Sequence, residues 1–149
     1  MLLHCCTAPQ ILGLGKTSTN KTARQSQRPV VLLGPFKHHS NLLPWRESGT
    51  EVVPIKDLAC SAGSSSSPQA GVIMKHLEAM LRRYSGKQRG VVGAFSAASN
   101  VTGLVSNCNA ISALLHCYVA LAGWDCATAA LHMQIECTPP NRSSSCCTR

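Results

Sequence analysis

The sequence predicts an α/β fold built on a parallel sheet with flanking helices. Two observations support this class, and a third supports a folded domain. Short apolar runs rich in β-branched residues alternate with stretches of helical periodicity, and the segments between successive runs are long enough to hold crossover helices. Of the 149 residues, 44% are hydrophobic, which is sufficient for the core of one domain. Crossovers of this kind are right-handed and place helices on both faces of the sheet.

The first strand is predicted at residues 30–33, an uninterrupted apolar run that ends at Gly34. A short helix is expected at residues 42–47. Ser40 or Asn41 would supply its N-cap, because short polar side chains there accept hydrogen bonds from the first backbone N–H groups.

The second strand is predicted at residues 51–55, followed by a serine-rich loop at 61–68. An amphipathic helix follows this loop and ends at Gly86. Its apolar stripe consists of Ile73, Leu77, Met80, Leu81 and Tyr84.

The third strand is predicted at residues 90–96 and the fourth at 119–124. A second amphipathic helix connects them after the Asn107 region. Its stripe consists of Ile111, Leu114, Leu115 and Tyr118. With this helix, every predicted pair of successive strands is connected through a helix, as a parallel sheet requires.

Composition divides the chain into a basic, disordered segment at 1–28, a folded domain at 29–138 and a disordered tail at 139–149. The net charge is +8, and the first acidic residue is Glu47. The basic residues before Glu47 are scattered and lack interleaved aromatics, which favours a solvated tail over a nucleic-acid site. The acid-free stretch at 17–28 also resembles an organellar transit peptide.

No apolar run approaches the length of a membrane span, and the N-terminus is too short for a signal-peptide core. An intracellular protein is expected, cytoplasmic unless the basic segment targets it to an organelle. The nine cysteines are an odd number, which favours reduced thiols. Their spacing does not match a zinc site, so no metal is predicted.

Three polar residues each follow a predicted strand: His38, Asn100 and Asp125. The carboxyl ends of parallel strands meet at one edge of a sheet, where ligands bind. These residues are therefore candidates for a shared site. Each also has a simpler interpretation, since His38 could be a turn residue, Asn100 an Asx-turn residue and Asp125 a helix cap.

The sequence motifs around these residues are more specific than their positions after strands. They are GPFKHHSNLLPWRE at 34–47, SAASNVTG at 96–103 and WDCATAA at 124–130. Together they resemble the class V aminotransferase and cysteine desulfurase-like family, whose members are pyridoxal phosphate-dependent enzymes of fold type I. The resemblance implies that residues 29–138 are part of the large domain of that family, with an incomplete sheet.

The resemblance also implies roles for four residues that would bind the cofactor. His38 matches the histidine that stacks on the pyridine ring, and Asn100 matches an amide near the phenolic oxygen. Asp125 matches the aspartate that keeps the ring nitrogen protonated. Thr128 stands where many relatives have a second contact to the phenolic oxygen. Lys37 departs from the pattern, since the family usually has an acidic residue there.

The resemblance places the Schiff-base lysine beyond the aspartate, yet the last lysine of this sequence is Lys87. A phosphate-anchoring motif upstream of His38 and the sulfur-accepting cysteine of desulfurases are also unmatched. We therefore expect a truncated family member that has no catalytic residue of its own, does not retain pyridoxal phosphate and is inactive alone. The family acts on amino-acid substrates as homodimers; nucleic acid and membrane are not expected partners here. The alternative is a non-catalytic interaction module that binds a protein partner or a full-length relative.

Overall fold

The computed structural model describes residues 28–57, 72, 74–86 and 89–135. Three predicted features lie outside the described residues: the basic segment except Arg28, the serine-rich loop at 61–68 and the tail at 139–149. Within the described part, no helix is both long and apolar enough to cross a membrane.

The described residues form an α/β unit whose sheet has four parallel strands in the order β2-β1-β3-β4. These strands are β1 (Val30–Leu33), β2 (Glu51–Pro54), β3 (Val91–Ser96) and β4 (Leu121–Asp125). The predicted fold class, a parallel sheet with flanking helices, is confirmed. The strand bounds differ from prediction by at most two residues at either end.

The central strands β1 and β3 are neighbours, but the chain leaves them in opposite directions. From β1 it passes through α1 (His39–Glu47) to β2, and from β3 it passes through α3 (Cys108–Cys117) to β4. This arrangement is a topological switch point, where the two outgoing loops diverge and leave a crevice at the carboxyl ends of the strands.

One face of the sheet is covered by α2 (Met74–Tyr84) and α3. Leu77 and Leu81 of α2 and Leu115 of α3 are fully buried against this face. Leu77 and Leu81 belong to the predicted stripe of α2, and their spacing places both side chains on the same side of the helix. Burial of each leucine contributes about 1.5–3 kcal/mol relative to exposure.

The opposite face is covered by α1, whose Trp45 packs against Val31, Leu33 and Val92. Trp45 also donates a hydrogen bond from Nε1 to the Asn41 side chain, one helical turn earlier, at 3.3 Å. Because alternate residues of β1 point to opposite faces, Val31 and Leu33 meet α1 whereas Val30 and Leu32 meet α2 and α3.

The predicted start of the first helix is wrong. The helix begins at His39, three residues before residue 42, and its N-cap is His38 rather than Ser40 or Asn41. His38 has an extended backbone, and its Nδ1 accepts a hydrogen bond from the Ser40 N–H at 3.3 Å. An imidazole nitrogen here performs the capping function that short hydroxyl and carbonyl side chains usually perform.

Candidate functional site

A pocket of about 220 Å³ lies at the carboxyl edge of the sheet, above the switch point between β1 and β3. Loops that follow three different strands contribute to its wall. The lining residues are Phe36, His38, Ser40, Ser96, Ala98, Asn100, Asp125, Ala127 and Thr128. The structure thus brings together all four residues for which the sequence predicted a cofactor contact.

His38 is positioned by the start of α1. Its Nδ1 accepts hydrogen bonds from the Ser40 hydroxyl at 2.9 Å and from the Ser40 N–H at 3.3 Å. A backbone N–H can only donate, so Nδ1 is the acceptor in these contacts. The neighbouring His39 ring packs edge-on against His38, with centroids 5.9 Å apart. The imidazole is therefore held in one orientation although it is exposed.

Asn100 lies in a tight loop that closes when Ala98 pairs with Val105. The hydroxyl of the buried Ser99 makes the turn, accepting hydrogen bonds from the N–H groups of Val101 and Thr102 at 3.3 and 3.2 Å. The simpler interpretation, in which Asn100 forms the turn, therefore describes Ser99 instead. The Asn100 side chain lines the pocket.

Asp125 is the last residue of β4, and its side chain is half-buried at the pocket. One carboxylate oxygen accepts a hydrogen bond from the Ala127 N–H at 3.1 Å. The simpler interpretation predicted that Asp125 caps a helix, but this bond closes a short turn ahead of the next helix, and it fixes the orientation of the carboxylate. Thr128, the cap residue of the short 3-10 helix Ala129–Leu131, makes no side-chain capping bond, so capping does not occupy its hydroxyl.

Trp124, the residue before Asp125, packs β4 against its neighbours. The Trp124 indole N–H donates to the Ser112 hydroxyl of α3 at 3.0 Å, and its ring packs on Phe95 with centroids 5.6 Å apart. These contacts tie the end of β4 to α3 and to β3. The position of Asp125 is therefore fixed by contacts of the end of β4 with α3 and β3.

Sequence reasoning missed Phe36 as a pocket residue. Its backbone is left-handed, with φ of 62°, and no local pattern in the sequence predicts that conformation for an aromatic residue. The signal that could have found Phe36 is its position in the sequence. It follows the turn residues Gly34-Pro35 and precedes the candidate residue His38 by two positions. For Ser40 the sequence predicts only a role as helix N-cap, whereas in the structure Ser40 is hydrogen-bonded to His38 and lines the pocket.

Two ionisable groups near the site have shifted pKa values. Burial and the nearby Arg46 guanidinium lower the pKa of Lys37, the residue between Phe36 and His38. Burial, reinforced by the neighbouring Cys126 thiol, raises the pKa of Cys108 at the start of α3. A raised thiol pKa leaves little thiolate at neutral pH, so Cys108 is a poor nucleophile.

Comparison with known proteins identifies the family. The family model described as Aminotransferase class-V matches residues 16–139, which is most of the chain. The chain belongs to the class-V aminotransferase family. No curated protein matches the chain in a sequence search.

Solved structures with a similar fold include a cysteine desulfurase and a serine palmitoyltransferase. The apo cysteine desulfurase from Thermococcus onnurineus NA1 superposes with a TM-score of 0.57 at 18% identity over 87% of this chain. Serine palmitoyltransferase from S. paucimobilis, with a bound PLP-myriocin adduct, gives 0.51 at 15% identity over 66% of this chain. A SepCysS–SepCysE N-terminal domain complex gives 0.52 at 12% identity over 68% of this chain.

These similarities cover a limited part of the larger proteins. The chain spans 28% of the desulfurase, 22% of the palmitoyltransferase and 26% of the SepCysS complex chain. At these identities they establish the fold. The family resemblance inferred from the motifs around His38, Asn100 and Asp125 is confirmed by the family match.

Proposed function

We propose that this chain provides the pyridine-ring side of a pyridoxal phosphate site of the class V aminotransferase and cysteine desulfurase-like type. The observation that carries the proposal is the convergence of His38, Asn100, Asp125 and Thr128 on one pocket at the switch point. The cofactor, when bound, supplies an electron sink for carbanions formed on an amino-acid substrate.

The donor set fits a pyridine ring. A carboxylate such as Asp125 accepts a hydrogen bond from a protonated ring nitrogen and stabilises the positive charge there. The imidazole of His38, held by Ser40, presents a flat aromatic surface to a ring. The Asn100 amide and Thr128 hydroxyl are the kinds of donor that bind a phenolic oxygen.

The volume of the pocket indicates that it forms only part of a cofactor-binding site. Its volume of about 220 Å³ is below the ~300–1,000 Å³ of most small-molecule sites. A ring therefore fits it more readily than a whole phosphorylated cofactor. We propose that the pocket described here accounts for the ring and that phosphate recognition requires other residues.

The same chain is proposed to be inactive alone. The 62 residues from 88 to 149 contain no lysine, and the family's covalent attachment uses a lysine beyond the aspartate. Cofactor binding by this chain would then be noncovalent, weak and reversible, so the chain would bind added pyridoxal phosphate without retaining it, in keeping with the expectation from the sequence. Asp125 would still orient the ring nitrogen.

The test is a titration of the purified chain with pyridoxal phosphate, followed through tryptophan fluorescence, to which Trp124, next to Asp125, contributes together with Trp45. Asp125→Asn removes the charge and keeps the shape of the side chain. We expect this variant to weaken binding about tenfold or more, as the loss of a charge-assisted hydrogen bond predicts. Glu47→Gln removes the same charge from the exposed end of α1 and should bind as the wild type does.

Pyridoxal without its phosphate should compete with pyridoxal phosphate, because the proposed contacts are to the ring. Inorganic phosphate should compete poorly. The proposal would be overturned if the wild-type chain bound no ring compound, or if Asp125→Asn bound pyridoxal phosphate as tightly as the wild type does.

The alternative function, a non-catalytic interaction module, is favoured by one feature of the sheet. In the described part, β4 pairs with β3 alone, and Leu121 of β4 is 51% exposed. An open strand edge is a template for pairing with another chain. Near-stoichiometric recovery of one partner protein or of a full-length relative with the tagged chain, lost on Leu121→Pro, would support this alternative.

A further inference from the structure

Phe36 combines two properties that do not usually occur together. It is one of the residues that line the pocket, and its backbone is left-handed with φ of 62°. Among the described residues, Val119 is the other non-glycine residue with a positive φ. An aromatic side chain at such a backbone position is rare, because its Cβ crowds the following carbonyl group.

The strained backbone needs a compensating contribution from the phenyl ring. Glycine would adopt the same φ without the steric cost, so the loop conformation alone does not explain an aromatic residue at position 36. Core packing does not explain it either, since Phe36 is half-buried and belongs to none of the three hydrophobic clusters of the described residues. Strain at a pocket residue is the kind of outlier that indicates a role for the side chain.

The surroundings of Phe36 indicate what that role is. The residue shares the loop between β1 and α1 with His38, and both residues line the same pocket as Asp125 of β4. A phenyl ring offers a face of negative potential, which attracts a cationic or electron-poor aromatic ring. A pyridine ring kept protonated by a carboxylate is such a group.

We infer that Phe36 is a positioning residue that selects a planar, positively charged pyridinium ring, supplying a second aromatic wall beside His38. This inference rests on the proposed function of the pocket. It extends that function by assigning to Phe36 the discrimination between aromatic and aliphatic ligands. The left-handed backbone that follows Gly34-Pro35 is what places Phe36 at the pocket wall.

The experiment compares the affinity of four variants for pyridoxal phosphate with that of the wild-type chain. Phe36→Leu keeps an apolar side chain without a ring, Phe36→Gly removes both the ring and the backbone strain, and Phe36→Tyr keeps the ring. Val119→Gly relieves the other positive φ, at a residue that is 93% exposed and precedes the amino end of β4, opposite the pocket edge. Circular dichroism establishes that each variant is folded.

We expect Phe36→Leu and Phe36→Gly to bind about 3- to 10-fold more weakly, the range for loss of one aromatic contact. Phe36→Tyr should restore affinity to within about twofold, and Val119→Gly should bind as the wild type does. A purely structural role would instead make Phe36→Gly bind normally, because that change releases strain. Wild-type affinity in both Phe36→Leu and Phe36→Gly would overturn the inference.

The two proposals fail in different ways. If the wild type binds pyridoxal phosphate and Asp125→Asn weakens binding, but Phe36→Leu and Phe36→Gly do not, the role of Phe36 is refuted and the ring site stands. If the wild-type chain binds no ring compound, the ring site is refuted, and the role of Phe36 is refuted with it.

Discussion

Asp125, the last residue of β4, lies opposite Ser96, the last residue of β3, in the parallel register of the two strands. The Ala97 N–H donates to the Asp125 carbonyl at 2.9 Å and extends the pairing one residue beyond the sheet. Because the two strands end together, the loop that carries Asn100 and the turn that carries Thr128 start at the same edge. The strand register thus places the candidate ligand-binding groups side by side.

Close packing between β3 and α3 leaves no space for a side chain at Gly93. A Cβ added to Gly93 would lie 2.7 Å from Leu115 Cδ1 and 2.7 Å from Phe95 Cε2, both on buried side chains. We expect Gly93→Ala to lower the free energy of unfolding by about 1–3 kcal/mol, the usual cost of overpacking a core. Urea unfolding of the purified chain measures this change.

The matched control for Gly93→Ala is Gly123→Ala on the neighbouring strand. A Cβ at Gly123 would have Gly93 O as its nearest contact, at 3.4 Å, so a smaller cost is expected. Equal unfolding free energies for the Gly93→Ala variant and the wild type would show that α3 does not pack against β3 as described.

The amino end of the sheet contains an ion pair whose contribution to stability depends on pH. Arg89 donates to Glu51 at 2.6 Å, and Tyr84 donates to the same carboxylate at 3.1 Å. The hydrogen bond from Arg89 is the main reason that the pKa of Glu51 is lowered from its ordinary value of 4.5. A lowered carboxyl pKa stabilises the fold above that ordinary value, and the contribution disappears as the pH falls through the folded-state pKa.

Glu51→Gln should therefore destabilise the chain at pH 7 and have progressively less effect below pH 4.5. The Glu51 side chain is 41% exposed, so solvent screening limits the loss at pH 7 to about 1 kcal/mol or less. Thermal unfolding of both proteins across this range measures the difference, with Glu47→Gln as a charge control at pH 7. A gap between wild type and Glu51→Gln that widens toward acid would contradict the assignment.

The sequence predicted the elements well where periodicity was strong. The apolar run of β1 and the stripe of α2 identify their elements because burial on one or both faces leaves a direct signature in residue order. The start of α1 was missed because His38 caps the helix through its ring nitrogen, a contact that residue order does not reveal. The start of β4 was missed for a related reason, since Val119 adopts a left-handed backbone before the strand.

The candidate site was predictable in part. His38, Asn100 and Asp125 follow strands, and the rule that parallel strands end at one edge suffices to bring them together. The positions of Phe36 and Ser40 depend on a backbone turn and a side-chain hydrogen bond, which pattern reasoning does not supply. The cofactor contacts assigned to the four residues stay predictions until binding is measured.

Val119 offers a test of backbone strain that does not involve the pocket. It has a φ of 57°, and its side chain is 93% exposed, so little packing is lost on truncation. We expect Val119→Gly to raise the free energy of unfolding by about 1 kcal/mol, because glycine adopts this conformation without a steric penalty. The control is Val101→Gly, where the side chain is 86% exposed and φ is not positive. That change should be neutral or destabilising, and a similar gain at both positions would argue against strain at Val119.

The distribution of lysines predicts how the chain reacts with pyridoxal phosphate. All six lysines lie at or before Lys87, and none follows Asp125. Among the described lysines, burial and Arg46 lower the pKa of Lys37, which leaves more of its amine unprotonated at neutral pH. After addition of pyridoxal phosphate and reduction with borohydride, peptide mapping should find several partly labelled lysines, with Lys37 ahead of the other described lysines but well below one label per chain. Lys37→Arg should remove that excess and leave noncovalent ring binding unchanged. A single lysine labelled once per chain, with its own absorbance band, would show that this chain does anchor the cofactor covalently and that its proposed inactivity is wrong.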